Sequence, residues 1–247
     1  CAKFFNAEKC IIYTDVEGVF TTDPNLTKAA KKIDKISYEE MLEMASLGAK
    51  VMQPASIQEA RLNRIEVDVR STFSKKLGTT ITKKKNIINK NTIRGISFTK
   101  NDAKITLIGV KDKPGVAASI FKPLYENSIN VDMVVQNISA NSRETDLTFT
   151  TKLEDLIKTK KILQTNKSIK FKNLIVNKNV SKVSIIGVGM ITTPGVTYRM
   201  FKALAKKKIN IEVISTSEIK ISVLINKKNL KKSVEILHQE FKLNYNL

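Results

Sequence analysis

Residues 104–137, KITLIGVKDKPGVAASIFKPLYENSINVDMVVQN, recur in altered form at residues 182–218 as KVSIIGVGMITTPGVTYRMFKALAKKKINIEVISTSE. Gly109 aligns with Gly187, Pro114-Gly115-Val116 with Pro194-Gly195-Val196, Phe121 with Phe201, and Ile129-Asn130-Val131 with Ile209-Asn210-Ile211. The offset is 78 residues before the Pro-Gly turn and 80 after it, so the copies differ by a two-residue insertion and form an internal repeat. Each copy reads as a strand, a Pro-Gly turn, an amphipathic helix and a strand. A further strand and helix follow, TDLTFTTK with LEDLIKTKKILQT in the first and KISVLIN with LKKSVEILHQEF in the second. This order predicts βαββαβ units, with two helices covering one face of an antiparallel sheet. The first copy closes with the strand NLIVNK, whereas the second reaches FKLNYNL without a sixth element. The strand RGISF, Arg94 to Phe98, lies ahead of the first copy and fills that vacancy, which nests the first copy within the second. On this reading residues 93–102 carry a strand of the second unit, 103–178 form the first unit and 179–247 the second.

Working outward, residues 84–92 lie in the polar run KKKNIINKNT and read as a linker. Residues 1–83 form a separate unit. Within it, Ser37 and Glu40 have capping-box spacing at the start of a helix whose apolar side is Met41, Leu42, Ala45 and Leu47 and which stops at Gly48. Pro54 opens a second helix at a position where its missing N–H is harmless, and IEVDVRS alternates as a strand. Ahead of these, the apolar run CIIY leads into YTDVEGVFTTDP, residues 13–24. Loops at the carboxyl ends of strands are where α/β proteins hold ligands. Two readings apply: a tight turn, which needs only Gly18 and Asp23-Pro24, or one side of a nucleotide site.

Composition narrows the function classes. The chain has 247 residues and 42% hydrophobic content, enough for real cores. No apolar run approaches the roughly 20 residues of a membrane span and no secretory signal pattern opens the sequence, so a cytoplasmic protein is expected. Beginning as it does at CAKFFNAEKCIIY, the sequence reads as part of a longer protein. Cys1 and Cys10 match no metal-binding spacing, and no metal site is expected. The only histidine, His238, sits in an amphipathic run and is expected on a helix surface. Net charge is +20, but the excess is Lys scattered through every segment, without Trp or basic-aromatic interleaving, so no nucleic-acid surface is expected.

The Pro-Gly turns have a chemical rationale as ligand sites. Free backbone N–H groups at a helix N-terminus favour a carboxylate, and a neighbouring acid such as Asp112 suits an ammonium group. Together they would accept a free amino acid. The same pair also serves simply to turn the chain.

The segments YTDVEGVFTTDP and SYEEMLEMASLGAKVMQPASIQEA resemble the C-terminal part of the kinase domain of aspartate kinases, and the repeat resembles the paired ACT domains of that family. The resemblance covers essentially the whole chain. It implies the C-terminal piece of an amino acid kinase α/β sandwich followed by two ferredoxin-like βαββαβ ACT domains. By family position, Thr14, Asp15, Phe20, Thr21, Thr22, Asp23, Pro24 and Asn25 would line the ATP pocket, with Lys50 reaching the nucleotide. The family often has Arg where Asn25 stands.

The reaction implied is transfer of the γ-phosphoryl group of MgATP to the side-chain carboxylate of L-aspartate, giving 4-phospho-L-aspartate. The family's KFGG(T/S)S and RGGSD-type motifs do not occur in this sequence, so it would hold half of the ATP site and be inactive by itself. Lysine, threonine or both would act as effectors. In the first copy the matching positions are Asp112, Gly115, Ala117 and Gln136, together with Asn130, Val131, Asp132 and Met133. In the second they are Val196, Thr197, Asn210, Ile211, Ser217 and Glu218. Exposed sheet edges lead to a homo-oligomer through the ACT domains as the expected assembly. A separate regulatory subunit is the competing reading, and such a chain would begin near residue 85.

Overall fold

The computed structural model describes residues 2–49, 51–83, 91–138, 144–166 and 168–244. The expected linker therefore lies outside the described residues except for Asn91 and Thr92, and Lys50 lies outside them as well.

The N-terminal portion comprises β1 (Lys9–Thr14), β2 (Lys35–Ser37), α1 (Tyr38–Ser46), α2 (Pro54–Asn63), β3 (Glu66–Ser71) and β4 (Thr79–Thr82). Its sheet has the order β1-β3-β4-β2, with β1 parallel to β3, β3 antiparallel to β4, and β4 parallel to β2. Neither β2 nor β4 was foreseen, because KIS and TTIT are too short and polar to show an apolar period. Helix α1 begins as expected. The Ser37 side chain accepts the Glu40 amide, and the Glu40 carboxylate returns to the Ser37 amide. It stops at Gly48, whose φ of +112° favours glycine, and an added Cβ there would stand 2.4 Å from the Phe98 carbonyl oxygen. Pro54 occupies the first turn of α2. Val19, Ile33, Met41, Met44, Ile57, Val69 and Ile81 form the core between helices and sheet.

The remaining elements are β5 (Gly95–Lys111), α3 (Val116–Glu126), β6 (Val131–Ile138), β7 (Glu144–Lys152), α4 (Leu156–Thr165), β8 (Asn173–Ile186), α5 (Val196–Lys206), β9 (Ile211–Thr216), β10 (Lys220–Asn226) and α6 (Leu230–Glu240). They build one six-stranded sheet in the order β6-β7-β5-β8-β10-β9. The long strands β5 and β8 run antiparallel and serve both copies of the repeat. Gly95–Thr99 of β5 lie opposite Ile186–Lys182 of β8, so the RGISF segment completes the second copy. Lys104–Ile108 lie opposite Asn177–Asn173 and belong to the first. The register shifts between Thr99 and Lys104, where the strand passes from one copy to the other.

Each copy has its own core beneath its helices. Ile105, Leu107 and Phe149 of the sheet pack with Ile120 of α3 and Leu163 of α4, where the Phe121 and Phe149 rings meet edge to face at 5.3 Å. That geometry contributes about 0.5–1.5 kcal/mol beyond burial. Val183, Ile185 and Val223 of the sheet pack with Met200 and Leu204 of α5 and Val234 of α6. On the opposite face Met133, Val180, Val213 and Leu224 form a smaller cluster that draws the two outer strands together. Lys104 Nζ and Glu212 Oε2 meet there at 2.5 Å.

The N-terminal portion is docked onto this sheet. Ile186 joins the N-terminal core, and the Ile96 amide donates to the Thr21 carbonyl at 2.7 Å. A buried polar knot lies alongside: Glu40 Oε1 accepts the Val188 amide at 3.1 Å, Glu40 Oε2 lies 3.8 Å from Arg94 Nε, and Arg94 donates to the Lys35 carbonyl at 2.7 Å. Burial lowers the Arg94 pKa, while Glu40 and Asp34 oppose that shift.

Candidate nucleotide and effector sites

The loop after β1 is built by contacts that depend on particular residues. Gly18 has φ of +141°, and an added Cβ would stand 2.5 Å from Thr79 Oγ1. That hydroxyl oxygen instead accepts the Val19 amide at 2.8 Å and donates to the Ile33 carbonyl at 2.6 Å. The Thr21 amide donates to the Lys31 carbonyl at 2.8 Å, folding the segment back on itself. Asp23 Oδ1 accepts the Asn25 amide at 2.8 Å in an Asx-type turn, so this carboxylate organises the loop. Thr14 donates to the Asp15 carboxylate at 3.0 Å.

The loop borders a cavity of about 1140 Å³ between the N-terminal portion and the six-stranded sheet. Of the expected ATP-pocket residues, Thr14, Asp15, Phe20, Thr22, Asp23, Pro24 and Asn25 are in its wall. The Thr22 hydroxyl is buried there with no hydrogen-bond partner among the described residues. An unpaired buried hydroxyl costs about 1–3 kcal/mol, and a polar ligand would satisfy it. The far wall was not foreseen. Ile96–Asp102 of β5 and Lys152–Glu154 at the end of β7 close the cavity, although in sequence they show only a strand and a helix approach.

Thr21 is not in the wall. Its side chain is fully buried, and Oγ1 accepts the Lys31 amide at 3.0 Å and lies 2.8 Å from His238 Nε2. His238 is accordingly not the surface residue expected: it is 0% exposed, on the apolar side of α6. Val234, Leu237, His238 and Phe241 have the i, i+3, i+4, i+7 spacing of one helix face, a signal present in the sequence. Burial pushes the imidazole pKa down. Nδ1 has no partner among the described residues, so protonation would leave a charged N–H without an acceptor.

A second cavity, of about 440 Å³, lies at the Pro-Gly turn of the first copy. Asp112, Gly115, Ala117 and Gln136 line it together with Lys111 and Thr145. Gln136 Nε2 lies 3.5 Å from Asp112 Oδ1. Gly115 precedes α3 with φ of +88°, and the helix N-terminus carries no side-chain cap. The other expected positions of this copy lie elsewhere. Asn130 is exposed, Val131 packs against the helix-side core, and Met133 is buried in the cluster on the opposite face. Asp132 pairs with Lys182. Burial alone would raise the Asp132 carboxyl, but that bond and the Met133 amide outweigh it and hold the carboxyl below its usual range.

In the second copy Val196 is core, while Thr197, Asn210, Ser217 and Glu218 are exposed and Ile211 half-buried. Ser217 closes the β9–β10 turn by donating its amide to the Lys220 carbonyl at 2.8 Å. Among the described residues no three His, Cys, Asp or Glu side chains cluster to hold a metal, and no helix is long and apolar enough to cross a membrane.

The fold and cavities define a class: a portion of an amino acid kinase joined to a nested pair of ACT domains. The amino acid kinase family matches residues 1–71, and the ACT domain family matches residues 105–166 and 183–241. The chain belongs to the aspartate kinase family. It is 45% identical over 245 residues to the aspartokinase of Pseudomonas aeruginosa, covering 98% of this chain and 59% of that protein. The structure of E. coli aspartokinase III in complex with aspartate and ADP is 28% identical, with a TM-score of 0.81, over 97% of this chain and 53% of that one. The regulatory subunit of aspartate kinase from Thermus thermophilus is 36% identical, with a TM-score of 0.57, over 61% of this chain and 99% of that one. The chain thus spans 59% of the length of the P. aeruginosa relative.

Proposed function

We propose that this chain is the C-terminal part of an ATP-dependent aspartate kinase, in which phosphoryl transfer to the side-chain carboxylate of L-aspartate gives 4-phospho-L-aspartate under control of amino-acid effectors. The observation that carries the reading is the large cavity at the carboxyl end of β1, with the unpartnered Thr22 hydroxyl in its wall. In this role Thr14, Asp15, Phe20 and residues 22–25 form the adenosine side of the ATP site. Thr21 acts from behind by holding the loop through Lys31 and His238. Lys50 follows as a nucleotide contact from the family position alone. Mg²⁺ enters with the nucleotide as part of the substrate, held by phosphates and water, as this ion ordinarily is. The described residues do not themselves form a cage for it.

The smaller cavity takes the effector, lysine or threonine. Its carboxylate meets the open N-terminus of α3 and its ammonium group meets Asp112. Asn130, Val131, Asp132 and Met133, and the positions in the second copy, join the effector machinery through assembly. The outer strands β6 and β9 keep Val134 and Ile214 exposed at 48% and 43%, which favours pairing with a second copy of the chain. A free-standing regulatory subunit is less well supported, because residues 1–71 match the kinase family as well.

The test is the full-length protein with ATP, Mg²⁺ and L-aspartate. Aspartate-dependent ADP release, with an acyl phosphate trapped by hydroxylamine, is expected. Failure to release ADP with aspartate under conditions where the P. aeruginosa relative does so refutes the reading.

A further inference from the structure

The charged lining of the large cavity is unevenly distributed. Among the described residues Asp15 and Asp23 are contributed by the N-terminal portion, Asp102 by β5 of the regulatory sheet and Glu154 by the turn that follows β7. The cations, Lys100 and Lys152, both belong to the regulatory sheet. Lys152 already faces Glu154 at 3.5 Å. Lys100 forms no ion pair among the described residues; its ammonium lies over the Phe98 ring, 5.3 Å from the centroid. It projects from the stretch of β5 where the register with β8 shifts, between Thr99 and Asp102. Such irregularities re-aim side chains out of the regular pleat. The Asp102 carboxylate, which would otherwise compete for the ammonium, accepts the Thr99 hydroxyl.

A nucleoside triphosphate is a polyanion, and a cavity with this acidic excess holds one only where cations offset it. We propose that Lys100 binds the phosphate groups of the nucleotide, so that the regulatory sheet supplies part of the ATP site. This rests on the kinase reading above and adds a residue that the loop motif does not contain. It also gives β5 two ends with different duties. Residues 96–102 wall the nucleotide cavity, and Val110 and Lys111 of the same strand line the effector cavity. The ten residue steps from Lys100 to Val110 span about 33 Å at the usual rise of a strand. An effector that shifts β5 therefore alters ATP affinity, and ATP reciprocally alters effector affinity.

The experiment compares ATP with adenosine, which shares the base and ribose but has no phosphates, by calorimetric titration of the full-length protein. With Lys100→Ala, ATP affinity is expected to fall about five- to tenfold, the weight of one partly screened charged contact, while adenosine affinity stays within about twofold. Lys100→Arg is expected to restore most of the ATP affinity, and adenosine binding doubles as the folding control. Unchanged ATP affinity in Lys100→Ala overturns the proposal and leaves the kinase reading standing. An equal loss for ATP and adenosine also overturns it, because Lys100 would then act only as wall. A parent protein that neither binds ATP nor phosphorylates aspartate removes the kinase reading, and the proposal with it.

Discussion

Replacing His238 by Gln probes the contact between α6 and the loop after β1 through pH. The imidazole is fully buried, its Nε2 lies 2.8 Å from Thr21 Oγ1, and burial lowers its pKa from the ordinary 6.5. Between the lowered folded value and the unfolded one, the unfolded chain holds more protons. Stability is therefore full above about pH 6.5 and declines as pH falls through the window below it. For a ring that stays neutral in the folded state throughout, going from pH 7.5 to 5.5 increases the weight of the unfolded state by a factor of about ten, or about 1.4 kcal/mol. Urea unfolding of the 247-residue chain and its His238→Gln variant at the two pH values isolates this contribution, because the carboxylate titrations common to both cancel. The parent is expected to lose up to about 1.4 kcal/mol more than the variant. His238 is the only histidine of the chain, so its ring proton resonances report the folded pKa directly. Equal losses in parent and variant, or a ring that titrates at or above 6.5, would refute the argument that the ring is held neutral.

Two further outcomes follow from the sites. Lysine or threonine at a hundredfold excess over Kd is expected to stabilise the protein by about 2.7 kcal/mol, and Asp112→Ala to abolish the shift; thermal melts with each amino acid decide it. Glu40→Ala removes the acceptor of the Ser37 and Val188 amides and strands the Arg94 guanidinium, whose side chain is 4% exposed. A loss of about 3–5 kcal/mol in denaturant unfolding is expected, with Glu40→Gln recovering part of it by preserving hydrogen bonds without the charge.

The features legible in the sequence were those with local causes. The aligned Pro-Gly turns disclosed the repeat, and the missing sixth element of the second copy pointed to Arg94–Phe98, which β5 bears out. The capping box at Ser37 and the Pro54 start of α2 are set by nearby residues and hold as read. Thr21 and Thr22 show the limit. They are adjacent and chemically identical, yet one faces the cavity and the other faces α6, and only the docking of the second copy decides which. The β5 wall was hidden for a related reason: its apolar residues report burial without saying what lies on each side. His238 is different, since its helical spacing already placed it among apolar neighbours.

The nesting of the repeat makes its two halves unequal under genetic surgery. Thr99 and Lys182 stand opposite each other on antiparallel strands, so the first copy enters and leaves the fold at neighbouring points. Deleting residues 100–181 and joining Thr99 to Lys182 through Asn-Gly would close a two-residue hairpin and leave four paired strands with α5 and α6 above them. No single deletion removes the outer copy in the same way, because its strands lie on both sides of the insertion in the chain. A single recombination event therefore suffices to add or remove the inner copy, while the outer one stays tied to the N-terminal portion through Ile96 and Ile186.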